Sequence, residues 1–172
     1  DTNSATDTTA IGCGGAIAAN AHELNISGSQ FINNTAAYFG GAIYTFATDS
    51  KSRKTVIDTT EFASNSSVED GGAIFLQTSA EIKTSLFTEN NSGDDGGAIT
   101  IRDDWDDAGN TGVLVENCTF SDNSAGNEGG ALFVDLYDRD AVITHSTIVE
   151  NSCGSLAVGE GGGGVAVYTG NV

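Results

Sequence analysis

The chain has 172 residues and a formal net charge of −18, from 24 acidic and 6 basic side chains. This charge argues against nucleic acid, whose phosphates need Lys and Arg, and against an anionic membrane surface. No apolar run approaches the length of a membrane span, so we expect no transmembrane segment in this chain. The length suits a single domain, and we expect residues 1–172 to form one.

The first eleven residues precede the repeats and carry no periodic pattern. They are rich in Thr, Ser and Asp. Two interpretations stay open for residues 1–11, a lead-in segment and an additional edge strand.

Two short motifs then recur along the chain. The first is a pair of glycines followed by a small and an aliphatic residue, with copies that begin at Gly14, Gly40, Gly71, Gly96, Gly129 and Gly162. The second is F-x-x-N, which begins at Phe31, Phe62, Phe87 and Phe120 and returns with Ile148 in the first position. A constant block joined by spacers of variable length is typical of a solenoid.

Each repeat contains three short pieces in which apolar and polar residues alternate. One piece precedes F-x-x-N, one ends at the Phe, and one begins inside the glycine motif. A period of two indicates strands and not helices. The pattern predicts an all-β fold, a single right-handed parallel β-helix of about five to six coils with three short strands per coil.

The most regular residues of the repeat have a structural interpretation. Inward Phe and Ile side chains would stack from coil to coil along the axis. The asparagines of F-x-x-N are expected to form a ladder of amide hydrogen bonds that satisfies turn backbone groups. These residues are Asn34, Asn65, Asn90, Asn123 and Asn151. The glycine pairs fit a corner that needs positive φ or close backbone approach.

Acidic residues precede the glycine pairs of three successive copies. They are Asp70, Asp94, Asp95 and Glu128. Stacking would bring these carboxylates to about 5 Å from one another, where like charges repel unless water or a cation intervenes. Oxygen ligands suit Ca²⁺. The row therefore carries two interpretations, a calcium site and a solvated acidic ridge, and no other cofactor is predicted.

The spacers between the glycine-motif strand and the next strand vary most in length. They span 44–54, 102–112 and 135–140, and we expect all three at one edge of the solenoid, where solenoids usually bind. The middle spacer supplies a candidate binding loop, made of Arg102, Asp103, Asp104, Trp105, Asp106 and Asp107. An exposed Trp among carboxylates suits a sugar or a protein partner. The alternative is that Trp105 covers the base of the loop.

The pairing of G-G-A-[I/L/V] with F-x-x-N resembles the repeat of the polymorphic outer membrane proteins of chlamydiae and of related β-helical surface proteins. The resemblance extends over residues 12–167. It implies an exported, surface-displayed β-helix that is often adhesive. We therefore expect an extracellular or cell-surface structural or adhesive module, whose partner is another copy of the chain or a host or cell-surface ligand.

A carbohydrate-active β-helix, similar to polysaccharide lyases or glycoside hydrolases, is the alternative. Such enzymes need paired acidic or calcium-binding residues, and the lyases also need a basic residue. The local candidates are Arg102 beside Asp103 and Asp104, and Arg139 beside Asp135 and Asp138. The sequence contains no distinctive catalytic motif, so we expect no enzyme.

Three cysteines are too few for a disulfide scaffold, and the absence of C-x-x-C argues against a zinc site. The chain begins and ends in repeat pattern without polar capping repeats, which favours head-to-tail stacking into filaments. Cys13 and Cys153 lie in turns of the same type, so we expect an intersubunit disulfide between them. Cys118 takes a small inward position and is excluded from this pairing.

Five N-x-[ST] triplets occur, at Asn25, Asn33, Asn65, Asn90 and Asn117. Such triplets arise by chance in a repeat rich in Ser, Thr and Asn, and they gain meaning only in a eukaryotic source.

Overall fold

The computed structural model describes the backbone of residues 4–5 and all atoms of residues 12–46, 53–102, 112–136, 140–154 and 161–168. Every regular element within these ranges is a β-strand. The strands pair in parallel and form four sheets, named A to D in the order in which the chain visits them.

Sheets A and B contain six strands each. Sheet A consists of β1 (Ser4–Ala5), β5 (Thr35–Ala36), β9 (Ser66–Ser67), β13 (Asn91–Ser92), β17 (Ser124–Ala125) and β21 (Ser152–Cys153). Sheet B consists of β2 (Ile17–Ala19), β6 (Ile43–Thr45), β10 (Ile74–Leu76), β14 (Ile99–Arg102), β18 (Leu132–Asp135) and β22 (Val165–Val167).

Sheets C and D contain five strands each. Sheet C consists of β3 (Glu23–Ser27), β7 (Lys54–Asp58), β11 (Ser79–Lys83), β15 (Val113–Glu116) and β19 (Ala141–Thr144). Sheet D consists of β4 (Gln30–Ile32), β8 (Glu61–Ala63), β12 (Leu86–Thr88), β16 (Thr119–Ser121) and β20 (Thr147–Val149).

The chain visits sheets A, B, C and D in rotation, and each strand pairs with the strand four elements later. This is a parallel β-solenoid, as the repeats predict. About four turns run without interruption through the described residues, over 23–46, 54–76, 79–102 and 113–135. The predicted total of five to six coils and the right-handed sense stay predictions.

The prediction of three strands per coil is wrong, because each complete described turn has four. The additional strand belongs to sheet A and lies between the Asn of F-x-x-N and the glycine pair. It is only two residues long, as in Ser66–Ser67. Two residues cannot display an alternating pattern, so the sequence gives no period from which to recognise this strand.

Single residues with positive φ turn the chain at the corners of each coil. One row stands between sheets C and D, with Thr59 at 51° and Thr84 at 50°. A second row directly precedes the Asn of F-x-x-N and includes Glu89 at 54°. The first glycine of the five pairs from Gly14 to Gly129 forms a third such position, for example Gly40 at 62°. L-residues adopt this conformation only when the surrounding structure fixes it, and here the flanking parallel ladders do so.

The second glycine of the same five pairs is required for a different reason. A Cβ placed on Gly41 would overlap the carbonyl oxygen of Gly72 in the next turn. The glycine pair therefore combines the two properties expected of it, a positive φ at the first residue and close backbone approach at the second.

The core lies along the solenoid axis and consists of stacked identical positions. The rings of Phe31, Phe62, Phe87 and Phe120 are nearly parallel, with successive centroids 5.0, 4.8 and 4.7 Å apart. The last three are fully buried. Aliphatic residues of sheet B stack in the same way, in register from Ile43 to Leu132.

Candidate functional site

The outer face of sheet B is covered, although it points away from the core. The middle residues of successive strands, Tyr44, Phe75, Thr100 and Phe133, stand in register and alternate with inward residues. Thr100 is fully buried, and Phe75 and Phe133 retain only 2% and 4% exposure. Other side chains must therefore shield this face from water.

An aromatic group covers one part of this face. The ring of Phe39 lies 4.7 Å from that of Phe75, and the ring of Tyr44 lies 5.7 Å from Phe75 and 5.2 Å from Phe46. Further along the solenoid, Tyr168 packs on Phe133 at 5.5 Å.

Arg102 fills the gap between these aromatic groups. The small Thr100 separates Phe75 from Phe133, and Arg102 follows Thr100 by two positions on the same face. Its guanidinium carbon lies 5.9 Å from the Phe75 ring centroid and 5.3 Å from that of Phe133. Cations are attracted to aromatic faces at such distances. Arg102, Phe39, Tyr44, Phe75, Phe133 and Tyr168 together form what we name the outer cluster.

Arg102 also binds two carboxylates that belong to different turns. Its Nη1 donates to Asp70 Oδ2 at 2.7 Å, and its Nη2 donates to Asp95 Oδ2 at 3.2 Å. The backbone N–H of Asp95 donates to Asp70 Oδ1 at 3.1 Å, and Asn127 Nδ2 donates to Asp95 Oδ1 at 3.1 Å. Both aspartates are buried. Burial of a charged carboxylate is costly unless such hydrogen bonds and ion pairs satisfy its oxygens.

The pKa values of both aspartates are raised. For Asp95 the largest cause is burial, followed by the charges of Asp94 and Asp70, and the pKa reaches about 6. Burial also raises the pKa of Asp70, while Arg102 acts in the opposite direction. The guanidinium therefore offsets only part of the cost of holding these carboxylates together and away from water.

Three of the four predicted metal ligands come together in the structure. Asp70, Asp94 and Asp95 offer carboxylate oxygens within 4.8 Å of one another. Glu128 stands one turn further, where its Oε1 accepts a hydrogen bond from the Tyr168 hydroxyl at 2.6 Å. The three aspartates have the donor chemistry for Ca²⁺, but Arg102 occupies the approach to Asp70 Oδ2 and Asp95 Oδ2. The calcium hypothesis stays a prediction.

Only the first residue of the candidate binding loop lies in the described part of the chain. Arg102 points to the rings of Phe75 and Phe133 and to its two aspartates, and its side chain is 32% exposed. Asp103, Asp104, Trp105, Asp106 and Asp107 lie outside the described residues, as do Asp138 and Arg139 of the enzyme alternative. The three variable spacers all join sheet B to sheet C, in agreement with their expected common edge.

The five motif asparagines form one continuous ladder. Each Asn from Asn34 to Asn123 donates its backbone N–H and its Nδ2 to the Oδ1 of the next ladder residue, over 2.8–3.0 Å. Each Nδ2 from Asn65 to Asn151 also donates to the carbonyl of the motif residue one turn earlier, such as Phe62 for Asn90 at 3.0 Å. These amides satisfy turn backbone groups, and the first four ladder residues are buried.

The three cysteines are free thiols. Cys13 precedes the first glycine pair, in the row of Phe39 and Asp70. Cys153 lies in sheet A, paired in register with Ala125. The two cysteines therefore share an edge of the solenoid but lie in different rows, and a stack that kept the register would not place them opposite each other. Cys118 is buried, as its inward position predicts, and the disulfide stays a prediction.

The aromatic part of the outer cluster is not predicted from the sequence. Alternation assigns Tyr44, Phe75 and Phe133 to an outward, solvated position. The signal that could reveal them is their recurrence directly after the aliphatic residue of the glycine motif, since aromatic residues at the same position of successive coils stand in one row.

The fold and the repeated ladder define a repeat protein of the parallel β-solenoid class. Two segments, 28–45 and 117–135, match the family model of the Chlamydia polymorphic membrane protein repeat. Each segment contains one strand of sheet D, one of sheet A and one of sheet B. The resemblance inferred from the two motifs is thereby confirmed at two copies of the repeat.

No curated protein and no solved structure matches the chain. The part of the chain that the structure describes contains no helix with the length and apolarity needed to cross a membrane.

Proposed function

We propose that the chain is a β-solenoid module of an exported or cell-surface protein, with a structural or adhesive role. The observation that carries the proposal is the match of two segments to the Chlamydia polymorphic membrane protein repeat. The asparagine ladder and the phenylalanine stack support it, because they hold successive turns in one register, and the variable spacers all join sheet B to sheet C. The right-handed sense and a total of five to six coils belong to this proposal.

The edge between sheets B and C is the proposed ligand-binding region. All three variable spacers connect there, and the middle one contains Trp105 among four aspartates. A surface with this charge favours a partner with cationic groups or a neutral sugar that stacks on the Trp. Head-to-tail stacking of copies is the second part of the proposal and is supported by the parallel sheets, whose strands repeat in one register along the axis.

The enzyme alternative has less support than the adhesive role. Arg102 is the basic residue that a lyase mechanism would use near the middle spacer. Its guanidinium donates to Asp70 and Asp95 and packs between two rings. A group held in this way stabilises the fold and is poorly placed to abstract a proton from an external substrate. We therefore propose that the chain is not an enzyme.

Surface labelling tests the proposed location. An antibody raised against the purified chain should label intact cells of the source without permeabilisation, and external protease should remove the signal. Labelling that requires permeabilisation would overturn the proposed surface role.

Binding and assembly are tested on the purified protein. Fluorescent protein should bind to cells or to a glycan array, and Trp105→Ala should reduce binding while Thr88→Ala, on sheet D, leaves it unchanged. Electron microscopy at high concentration should show end-to-end particles. Release of soluble fragments from polyuronates or glucans would favour the enzyme alternative instead.

A further inference from the structure

The five N-x-[ST] triplets fall into two groups that the sequence does not distinguish. Asn25, Asn33 and Asn117 are exposed, whereas Asn65 and Asn90 are completely buried. We propose that Asn25, Asn33 and Asn117 are acceptors of N-linked glycans, and that Asn65 and Asn90 are unmodified in the folded protein. The inference rests on the proposed export of the chain and applies to a eukaryotic source, whose secretory compartment glycosylates such triplets.

The asparagine ladder excludes the two buried triplets. Asn65 uses its Nδ2 to donate to Asn90 Oδ1 at 2.9 Å and to the Phe31 carbonyl at 2.9 Å. Asn90 uses its Nδ2 in the same way, toward Asn123 and the Phe62 carbonyl. A glycan replaces one of the two Nδ2 hydrogens and needs a path to solvent. Neither condition is compatible with a fully buried amide whose two hydrogens are both donated.

The three exposed triplets lie where a glycan can leave the surface. Asn33 and Asn117 occupy corner positions with φ of 57° and 54°, a conformation that Asn tolerates better than most residues. Asn25 lies in the middle of β3 on the outer face of sheet C, where its Nδ2 donates to the exposed Glu23 at 3.1 Å. Attachment at these residues displaces no buried contact.

The hydroxyl residues of the three exposed triplets are also more exposed than those of the two buried triplets. Ser27 and Thr35 are exposed and Thr119 is half-buried, whereas Ser67 and Ser92 retain only 5% and 1% exposure. Strand residues alternate between the two faces, so Asn25 and Ser27 of β3 share the outer face of sheet C. The other four Asn residues stand between strands.

The modification transfers a glycan from a lipid-linked glycosyl diphosphate, and a transferase of the secretory compartment catalyses it. A bond forms between the anomeric carbon and Asn Nδ2 while the bond from that carbon to the diphosphate oxygen breaks. The electron pair of the broken bond leaves with the diphosphate, and one Nδ2 proton is released. Transfer to Asn65 or Asn90 before folding would block the ladder, so such chains should be missing from the folded pool.

The predicted sites leave one wall of the solenoid uncovered. Asn25 lies on sheet C, Asn117 at the corner between sheets C and D, and Asn33 at the corner between sheets D and A. None of the five triplets lies in sheet B. The three glycans therefore lie away from the outer face of sheet B, which carries the outer cluster.

The test is site occupancy in protein secreted from a eukaryotic host under the host's own leader. The folded, monodisperse pool is treated with a glycosidase in heavy-oxygen water, and peptide mass spectrometry reports each Asn. We expect heavy-oxygen label at Asn25, Asn33 and Asn117. On a gel, partial removal of the three glycans should give three successive shifts in mobility, which we call steps. Ser27→Ala, Thr35→Ala and Thr119→Ala should each remove one step, because they delete the hydroxyl and keep the Asn.

Ser67→Ala and Ser92→Ala are the matched controls, and they should leave all three steps in place. A glycan at Asn65 or Asn90 in the folded pool would overturn the inference. So would empty acceptors at all three exposed sites in cells that glycosylate a co-expressed reporter. Because the host leader directs secretion, this result is separate from the surface labelling of source cells that tests the proposed function.

Discussion

The asparagine ladder and the outer cluster belong to the same turns of the solenoid but are built in opposite ways. The ladder repeats one neutral residue in every coil, and each amide satisfies the next. The outer cluster has residues of different types in successive coils, and its one guanidinium contacts two buried carboxylates. The ladder therefore determines the register, while the outer cluster and its aspartates are the region where we expect stability to depend on pH.

The largest expected effect concerns the phenylalanine stack beside the ladder. Phe87→Ala removes a fully buried ring that lies 4.8 Å from Phe62 and 4.7 Å from Phe120. We expect a loss of about 3–5 kcal/mol in the free energy of unfolding, measured by chemical denaturation. Leu86→Ala, on the partly exposed neighbour, is the control and should cost much less. An unchanged midpoint for Phe87→Ala would contradict the inward register.

Breaking the ladder should be nearly as costly. Asn90→Ala leaves the backbone N–H and side-chain amide of Asn65 without their acceptor and deprives the Phe62 carbonyl of a donor. We expect a loss of about 2–4 kcal/mol, since each buried unsatisfied group costs about 1–3 kcal/mol. Asn91→Ala, at the exposed next residue, should stay within about 0.5 kcal/mol. Equal effects from the two substitutions would contradict the ladder.

Removal of the Arg102 guanidinium should have an intermediate effect on the free energy of unfolding. Arg102→Ala leaves Asp70 and Asp95 buried without a positive partner, and it opens the space between Phe75 and Phe133. We expect a loss of about 1–3 kcal/mol at pH 7, reduced from the value for a fully buried pair because Arg102 is partly exposed. Lys54→Ala, which breaks an exposed pair with Glu81, should change stability by less than about 1 kcal/mol.

The same variant separates the two interpretations of the acidic row. Millimolar Ca²⁺, compared with EGTA at constant ionic strength, should raise the melting temperature of Arg102→Ala more than that of the unsubstituted chain. The reason is that the ion can then reach the oxygens that Arg102 occupies. Equal responses would favour a solvated acidic ridge, and a large response of the unsubstituted chain would favour a resident calcium site.

The smallest effect is a pH dependence that comes from Asp95. Its pKa of about 6 in the folded chain exceeds the ordinary value of 3.8, so the folded state binds more protons than the unfolded state between these values. Its contribution to stability therefore increases as the pH falls from 7 through 6 toward 4. Asp95→Asn should flatten this part of the profile, measured as melting temperature against pH. A profile that is unchanged by the substitution would assign the dependence to other groups.

The sequence predicts the ladder, the stack and the glycine corners because those positions repeat the same residue type at constant spacing. It fails for sheet A, since Ser66–Ser67 is too short to show a period. It also fails for the outer cluster. Period two places Phe75 and Phe133 in solvent, and the pairing of Arg102 with Asp70 depends on the stacking register of residues from different coils. The acidic row is visible in the sequence, but the sequence does not show that Arg102 pairs with it.

Hydrogen exchange at single-residue resolution tests the contrast between these two regions most directly. The backbone N–H groups of Asn34, Asn65, Asn90 and Asn123 donate to ladder oxygens, whereas that of Asp95 donates to a carboxylate oxygen of Asp70. After correction for intrinsic rates, the ladder amides should be equally protected at pH 7 and pH 5, while protection of the Asp95 amide changes. Fast exchange of the ladder amides, or an Asp95 amide as insensitive to pH as the ladder, would contradict the account.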